Sequence, residues 1–258
     1  MTVTWQMLAI VCPLIFLASF VDSVAGGGGL ISLPAYYMAG LSPYLAAGTN
    51  KFSACIGTIA AAGGYIQKKH VLWQAALPAA LFALPGSWFG ATLQQHIPEN
   101  TVRIMMLCLI PVVAVVVLTS RKRPEGKRLL PDSLPAWTNV AVSCAIGLAI
   151  GFYDGLVGPG TGTFLIILFT LFLGMPAVDA SGTAKLVNLA SNIAALITYL
   201  MSGNVLLGLA LPAACCSILG GTIGARVTVS RGTGFIRKML IVVLALLLAK
   251  MAWDLVQG

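Results

Sequence analysis

Long apolar runs, separated by short polar connections, fill most of the 258-residue chain. The runs occupy about residues 7–21, 30–39, 44–66, 71–93, 101–119, 136–153, 163–175, 180–201, 205–225 and 236–253. Several of them reach the ~20 residues that a helix needs to cross a bilayer, whereas 30–39 and 163–175 are too short. The pattern therefore predicts an all-α polytopic membrane protein with two half-length helices.

Each short run follows a stretch that combines one aspartate with several glycines. Residues 20–29 contain Asp22 and four consecutive glycines, and residues 152–162 contain Asp154, further glycines and Pro159. A carboxylate costs a few kcal/mol at the bilayer centre, and each glycine costs about 1 kcal/mol relative to alanine inside a helix. These stretches therefore predict broken or re-entrant hairpins whose function offsets the cost.

The composition agrees with a membrane protein. The chain is 59% hydrophobic and 9% charged, and its mean hydropathy is +0.96, whereas soluble domains contain roughly 25% charged residues. Most of the positive charge lies in connections between apolar runs, which indicates membrane topology and loops that contact anionic lipid rather than nucleic acid. We expect membrane lipid, and no nucleic acid, among the partners.

The cysteines and histidines give no sign of a metal site or a cofactor. The six cysteines lie in apolar runs without CxxC or Cys/His spacing, so neither a metal site nor a disulfide framework is predicted. His70 and His96 lie in connections and are interpreted as solvated. We expect no cofactor, no metal and no catalytic residue.

The second half of the chain repeats the first. An offset of 134 positions aligns residues 40–91 with 174–225, and the matched pairs include Gly48 with Gly182, Thr49 with Thr183, Lys51 with Lys185, Tyr65 with Tyr199, Gly86 with Gly220 and Gly90 with Gly224. The two aspartates align at an offset of 132, because the second copy gained two residues in its glycine loop. We predict an N-terminal repeat over 1–119, a basic cytoplasmic linker over 120–134 and a C-terminal repeat over 135–258.

The charges of equivalent loops indicate that the second repeat is inverted. Residues 67–70 are basic whereas their equivalents, 201–204, have no charge; residues 94–100 contain no Lys or Arg whereas their equivalents, 228–238, contain several. Because basic loops face the cytoplasm, equivalent loops lie on opposite sides of the membrane. This arrangement places the N-terminus outside.

Inversion requires an odd number of membrane crossings in each half, and two arrangements satisfy this condition. Each half has either five crossings, or three crossings preceded by a re-entrant hairpin such as 7–21 with 30–39. The hairpin is favoured, because non-helical backbone at mid-membrane persists only where it lines a cavity. We predict about eight transmembrane segments, within a range of six to ten.

Four charged side chains lie well inside apolar runs and match between the repeats: Asp22, Lys51, Asp154 and Lys185. In one interpretation they form buried ion pairs within each repeat, Asp22 with Lys51 and Asp154 with Lys185, which only stabilise the fold. In the other, the lysines and glycine N–H groups bind an anion near the pseudo-two-fold axis, where the two ammonium groups are unpaired, and the aspartates provide proton coupling or counter-ions. Stability alone is a weak reason to bury two ion pairs.

Further polar groups accompany the lysines on one helix face, since steps of three and four bring side chains together. Thr49 and Thr183 precede the lysines near helix N-termini, where the dipole favours an anion. The predicted binding residues are Lys51, Lys185, Thr49, Thr183, Asn50, Asn188, Asn192, Gly26, Gly27, Gly28, Gly29, Gly158, Gly160 and Gly162.

Four motifs carry a resemblance to a known family. They are Asp-Ser-Val-Ala-Gly-Gly-Gly-Gly-Leu-Ile (22–31), Gly-Thr-Asn-Lys (48–51), Gly-Phe-Tyr-Asp-Gly (151–155) and Ala-Lys-Leu-Val-Asn-Leu-Ala-Ser-Asn-Ile (184–193). With them the chain resembles the sulfite exporter TauE/SafE family, also called the four-toluene-sulfonate uptake permease family, in its bacterial inner-membrane branch. Residues 158–162, Gly-Pro-Gly-Thr-Gly, replace a second glycine run and make the half-sites unequal.

The resemblance implies a multi-pass permease or exporter of the cell inner membrane. Its substrate would be a small anion, sulfur-containing like sulfite, a sulfonate or sulfoacetate, and coupling to protons is compatible with the aspartates. The alternatives are a transporter or channel for another small solute, a structural or lipid-scaffold protein, and an intramembrane enzyme that uses Asp22 and Asp154. The sequence is also compatible with a homo-oligomer.

Overall fold

The computed structural model describes residues 3–102, 104–105, 108 and 136–231, and all regular secondary structure in this part is helical. The helices are α1 Trp5–Ala25, α2 Gly29–Met38, α3 Pro43–Gln67, α4 Trp73–His96, α5 Ala136–Leu156, α6 Thr161–Leu173, α7 Ala177–Met201 and α8 Leu207–Arg231. The predicted linker 120–134 and the apolar run 236–253 lie outside the described residues, as does most of the run 101–119. The predicted repeat boundaries therefore stay a prediction.

Glycines end the first helix of each hairpin. α1 ends at Gly26, which adopts a left-handed conformation (φ 75°) and donates its N–H to the carbonyl of Asp22. Gly158 and Gly160 between α5 and α6 also have positive φ, 92° and 80°. Glycine adopts this conformation without the steric cost of a Cβ atom, so the chain reverses direction within three to four residues.

The segment after each glycine loop is short and packs back against the helix before it. α2 has 10 residues against 21 in α1, which is about 15 Å against about 31 Å of helix. Tyr36, near the end of α2, is fully buried in a cluster with Met7 and Val11 from the first half of α1. α1 and α2 therefore form a hairpin that begins and ends at the same face of the molecule.

The equivalent helices α3 and α7 run in opposite directions. Gly48, near the start of α3, lies against the carbonyl of Asn204, which follows α7. Gly182, near the start of α7, lies against the carbonyl of His70, which follows α3. Since these contacts are themselves equivalent, a two-fold axis perpendicular to the helices relates the repeats. The predicted inverted repeat is confirmed.

The same symmetry appears where a hairpin helix of one repeat crosses a long helix of the other. A Cβ atom on Gly220 of α8 would lie 2.2 Å from the carbonyl oxygen of Phe16, and one on Gly86 of α4 would lie 2.4 Å from that of Leu148. Only glycine permits such close approach of two helix backbones. Each hairpin is thus packed mainly against the opposite repeat.

The described basic residues outside the interior gather at one end of the molecule. α3 and α8 are parallel, because Gly57 lies against Gly221 and, further along both helices, Gly64 lies against Ala225. Lys68 and Lys69 follow α3, and Arg226 and Arg231 end α8. The loop 202–206, at the other end, has no charge. This distribution is the one expected if the basic end is cytoplasmic.

The outer surface is apolar. Large hydrophobic side chains such as Trp88, Phe89 and Leu219 are 46%, 58% and 58% exposed, and they face the position of lipid tails. Within the described residues, five helices are long and apolar enough to cross a membrane: α1, α4, α5, α7 and α8. The molecule is a polytopic membrane protein, as predicted, while the exact number of crossings stays a prediction.

Candidate binding site between the repeats

The tips of the two hairpins meet inside the protein. Thr163, near the start of α6, donates its backbone N–H to the carbonyl of Gly26 (3.2 Å) and its hydroxyl to the carbonyl of Ala25 (2.6 Å). A Cβ atom on Gly162 would lie 2.5 Å from the Cα atom of Gly26. Because the hairpins enter from opposite faces, tips that touch must lie in the interior. The glycines therefore permit close contact between the loop after α1 and the first turn of α6 in the protein interior.

The four interior charges form two ion pairs, and both pairs connect the repeats. Lys51 Nζ lies 2.7 Å from Asp154 Oδ2, and Lys185 Nζ lies 2.5 Å from Asp22 Oδ2. The pairing within each repeat, Asp22 with Lys51 and Asp154 with Lys185, is wrong, because each hairpin packs against the opposite repeat. The two ammonium groups are also not unpaired near the axis. Each lysine already has a carboxylate partner.

Asp154 is deeply buried and fully bonded. Its side chain is 3% exposed and accepts hydrogen bonds from the hydroxyls of Thr161 (2.8 Å) and Ser191 (2.6 Å) in addition to Lys51. Lys51 also donates to Asn192 Oδ1 (3.0 Å). Hydrogen bonds to a charged group are short and strong, so these three donors hold the carboxylate in place.

Asp22 lies in a more open environment. Its side chain is 21% exposed, and among the described residues it accepts, besides Lys185, one further hydrogen bond, from the backbone N–H of Gly28 at 3.2 Å. The repeat equivalent of Ser191 is Gly57, which has no hydroxyl to offer. The two half-sites are therefore unequal, as the different glycine loops suggested.

A cavity of about 50 Å³ lies beside these pairs. A buried water needs roughly 10–15 Å³, so the cavity holds a few waters or a compact anion. The lining includes most of the predicted residues, namely Asp22, Gly26, Gly28, Gly29, Asn50, Lys51, Asp154, Gly158, Gly162, Asn188 and Asn192. The sequence analysis had therefore grouped residues that lie up to 170 positions apart in the chain and that line one cavity.

Other predicted residues lie away from the cavity lining, namely Gly27, Gly160, Lys185, Thr49 and Thr183. The two threonines are completely buried. The hydroxyl of Thr49 accepts the N–H of Leu206, just before α8, and that of Thr183 accepts the N–H of Leu72, just before α4; both distances are 3.0 Å. Each threonine thus caps the N-terminal end of a helix in the opposite repeat. Substrate contact by these threonines stays a prediction.

The sequence reasoning missed several hydroxyl groups at the site. Ser191 and Thr161 bind Asp154 directly, and Ser32 and Ser217 line the cavity. A single serine in an apolar run is common in helix packing. Only its distance from a charged side chain could have distinguished a hydroxyl of the site from one that serves helix packing. For Ser191 that distance depends on how α5 packs against α7 within the second repeat.

His70 has a partner that the sequence did not suggest. Its Nδ1 atom lies 2.7 Å from Asp179 Oδ1, and both side chains are about one-third exposed. This contact connects the loop after α3 with the start of α7. Among the described residues there is no group of three His, Cys, Asp or Glu that could hold a metal ion.

Inverted repeats with broken helices and a charged cavity where they meet define the architecture of a secondary transporter. Residues 11–251 match the family model described as "Sulfite exporter TauE/SafE". The chain belongs to this family and is a membrane transporter.

Curated relatives agree with this assignment. The chain is 33% identical to "Probable membrane transporter protein YfcA" of Escherichia coli (strain K12), with 97% of this chain and 94% of the relative covered. It is 31% identical to "Probable membrane transporter protein" of Haemophilus influenzae, with 96% of each covered. No solved structure matches the chain.

Proposed function

We propose that the protein carries a compact sulfur oxyanion of the sulfite type through the cavity between its repeats. The carrying observation is that Lys51 and the glycines that begin α2, Gly28 and Gly29, line the same cavity. The positive end of the α2 helix dipole and a nearby ammonium group both favour an anion. An open space of about 50 Å³ for water-sized groups suits a compact anion such as sulfite.

The charge balance of the site supports coupling to a proton. Two aspartates and two lysines sum to zero, so a bound anion leaves a net negative charge where the dielectric constant is low. For a monovalent anion such as hydrogen sulfite, one proton on an aspartate restores neutrality. Asp22 is the better candidate, because it is more exposed than Asp154 and accepts fewer hydrogen bonds. The charged groups around it are Lys185 on α7, Lys51 on α3 and Asp154 on α5.

The basic residues at one end of the molecule support the membrane assignment. We infer an inner-membrane protein with the end that carries Lys68 and Arg231 in the cytoplasm, in contact with anionic lipid. An assembly of identical chains stays a prediction. An intramembrane enzyme that uses Asp22 and Asp154 has less support, because the family is a transporter family and each aspartate has its own lysine partner.

Flux measurements on purified protein in liposomes test the proposal. We expect sulfite to move faster than sulfoacetate and chloride, and a pH gradient alone to drive its accumulation on the alkaline side, since anion and proton move together. Protein-free liposomes are the control. If folded protein moves none of these anions under any gradient, the proposal fails; if it moves sulfite without a response to the pH gradient, proton coupling fails. Movement of chloride alone supports the alternative of another small solute.

A further inference from the structure

The cavity is not symmetric, although the repeats are. Most of its lining comes from the first repeat, and several polar groups of the lining have apolar equivalents in the other repeat: Ser32, Asn50 and Ser53 correspond to Ile166, Ala184 and Val187, and Ser217 of the second repeat corresponds to Ala83 of the first. These equivalents belong to, or pack against, one buried hydrophobic cluster. At the position related to the cavity by the symmetry, apolar side chains thus fill the space.

Four polar side chains of this cavity have no hydrogen-bond partner among the residues that the structure describes. Ser32, Thr58 and Ser217 are 5%, 4% and 2% exposed, and Asn50 is half-buried. Other hydroxyls of the same lining are satisfied; that of Ser53, for example, lies 2.8 Å from the hydroxyl of Tyr36. None of their side-chain polar atoms is fully enclosed by protein, because these atoms face the open space of the cavity. These four groups are therefore available to a ligand.

Their surroundings select the charge and the shape of that ligand. Lys51 and the first residues of α2 line the same space, which favours a negative charge. Three hydroxyls and one amide offer several donors from α2, α3 and α8, a spread that suits an ion with several acceptor oxygens. A single-atom anion cannot satisfy donors that approach from three helices as well as an oxyanion can.

We propose that Ser32, Asn50, Thr58 and Ser217 form an oxyanion subsite that gives the transporter its preference for pyramidal or tetrahedral oxyanions. This inference rests on the proposed function and adds to it the side chains that set selectivity. The substrate site then belongs mainly to the first repeat. Other polar groups, on α7 of the second repeat, bond to the Lys51–Asp154 pair: Ser191 donates to Asp154 and Asn192 accepts from Lys51.

Two substitutions test the subsite with little risk to folding. Asn50→Ala and Ser217→Ala each introduce the residue that the other repeat already has at the equivalent position. The control is Ser143→Ala, which truncates a completely buried serine of α5 that bonds only to the carbonyl of Asn139. Dissociation constants for sulfite, sulfate and chloride are measured on purified protein, together with sulfite flux in liposomes.

We expect each cavity variant to raise the dissociation constant for sulfite about tenfold or more, the effect of losing one hydrogen bond to a charged group, and to reduce the preference for sulfite over chloride. The Ser143→Ala control retains the parent values. If both cavity variants are folded and bind sulfite with parent affinity and selectivity, the subsite is refuted while the proposed function stands. If the parent protein neither binds nor moves an oxyanion, both proposals fail.

Discussion

At the scale of single residues, the two ion pairs have equivalent positions but different surroundings. Asp154 is 3% exposed and receives two hydroxyls besides its lysine, whereas Asp22 is 21% exposed and receives one backbone N–H. Removal of one member of a buried pair leaves an uncompensated charge, and its cost grows with burial. We therefore expect substitution of Asp154 and substitution of Asp22 to have different effects on stability and on transport.

For Asp154 we expect a loss of stability. Asp154→Asn leaves the ammonium group of Lys51 buried without a counter-charge, which costs about 3–5 kcal/mol. The double variant Asp154→Asn with Lys51→Met should regain much of that loss, because no charge then remains unpaired. Thermal unfolding of the purified variants measures both effects. A double variant no more stable than the single one would contradict this explanation.

For Asp22 we expect a loss of coupling. Asp22→Asn fixes the neutral form of this side chain, so the site carries a net positive charge at every pH. Sulfite affinity in the parent should fall as pH rises, because binding needs a proton. The fall should be smaller in the variant, where only the titration of sulfite itself contributes. Binding curves at pH 6 and 8 make the comparison; parallel pH profiles would exclude Asp22 as the proton carrier.

At the scale of helices, glycines decide where two backbones touch. Gly220 faces the Phe16 carbonyl so closely that a Cβ atom would lie 2.2 Å away, whereas Gly63 has no atom within 4 Å of the position of its Cβ. Alanine is otherwise favoured over glycine inside a helix by about 1 kcal/mol. The same substitution should therefore have opposite effects at the two positions.

We expect Gly220→Ala to destabilise the protein by about 1–3 kcal/mol, the usual cost of overpacking, because α1 must move away from α8. Gly63→Ala is the matched control and should be neutral or slightly stabilising. Thermal unfolding of the two variants against the parent gives both values. Equal behaviour of the two variants would mean that the α1–α8 contact tolerates a methyl group.

At the scale of the whole molecule, inversion places the two ends of the fold on opposite sides of the membrane. Lys68 follows α3 and Ser202 follows α7, and both residues are exposed. In a background without its six cysteines, Lys68→Cys should react with a membrane-impermeant thiol reagent only after the cells are opened. Ser202→Cys should react in intact cells. Labelling of both from one side would contradict the inverted topology.

The sequence by itself determined the features that are local or that recur along the chain. Hydrophobic runs gave the helices, because a segment in lipid must satisfy its own backbone hydrogen bonds. The offset of 134 residues and the unequal charges of equivalent loops predicted the inverted repeat. The glycines after Asp22 and Asp154 marked the two hairpins, since consecutive glycines disfavour a continuous helix.

Only the tertiary structure decided which groups meet across the axis. A repeat shows that Lys51 and Lys185 are equivalent, but it does not show that each lysine pairs with the aspartate of the opposite repeat. Nor does it show that Thr49 caps the entry to α8 or that the cavity lies on one side of the axis. These contacts join residues more than 100 positions apart, and they depend on how the helices pack rather than on any local pattern.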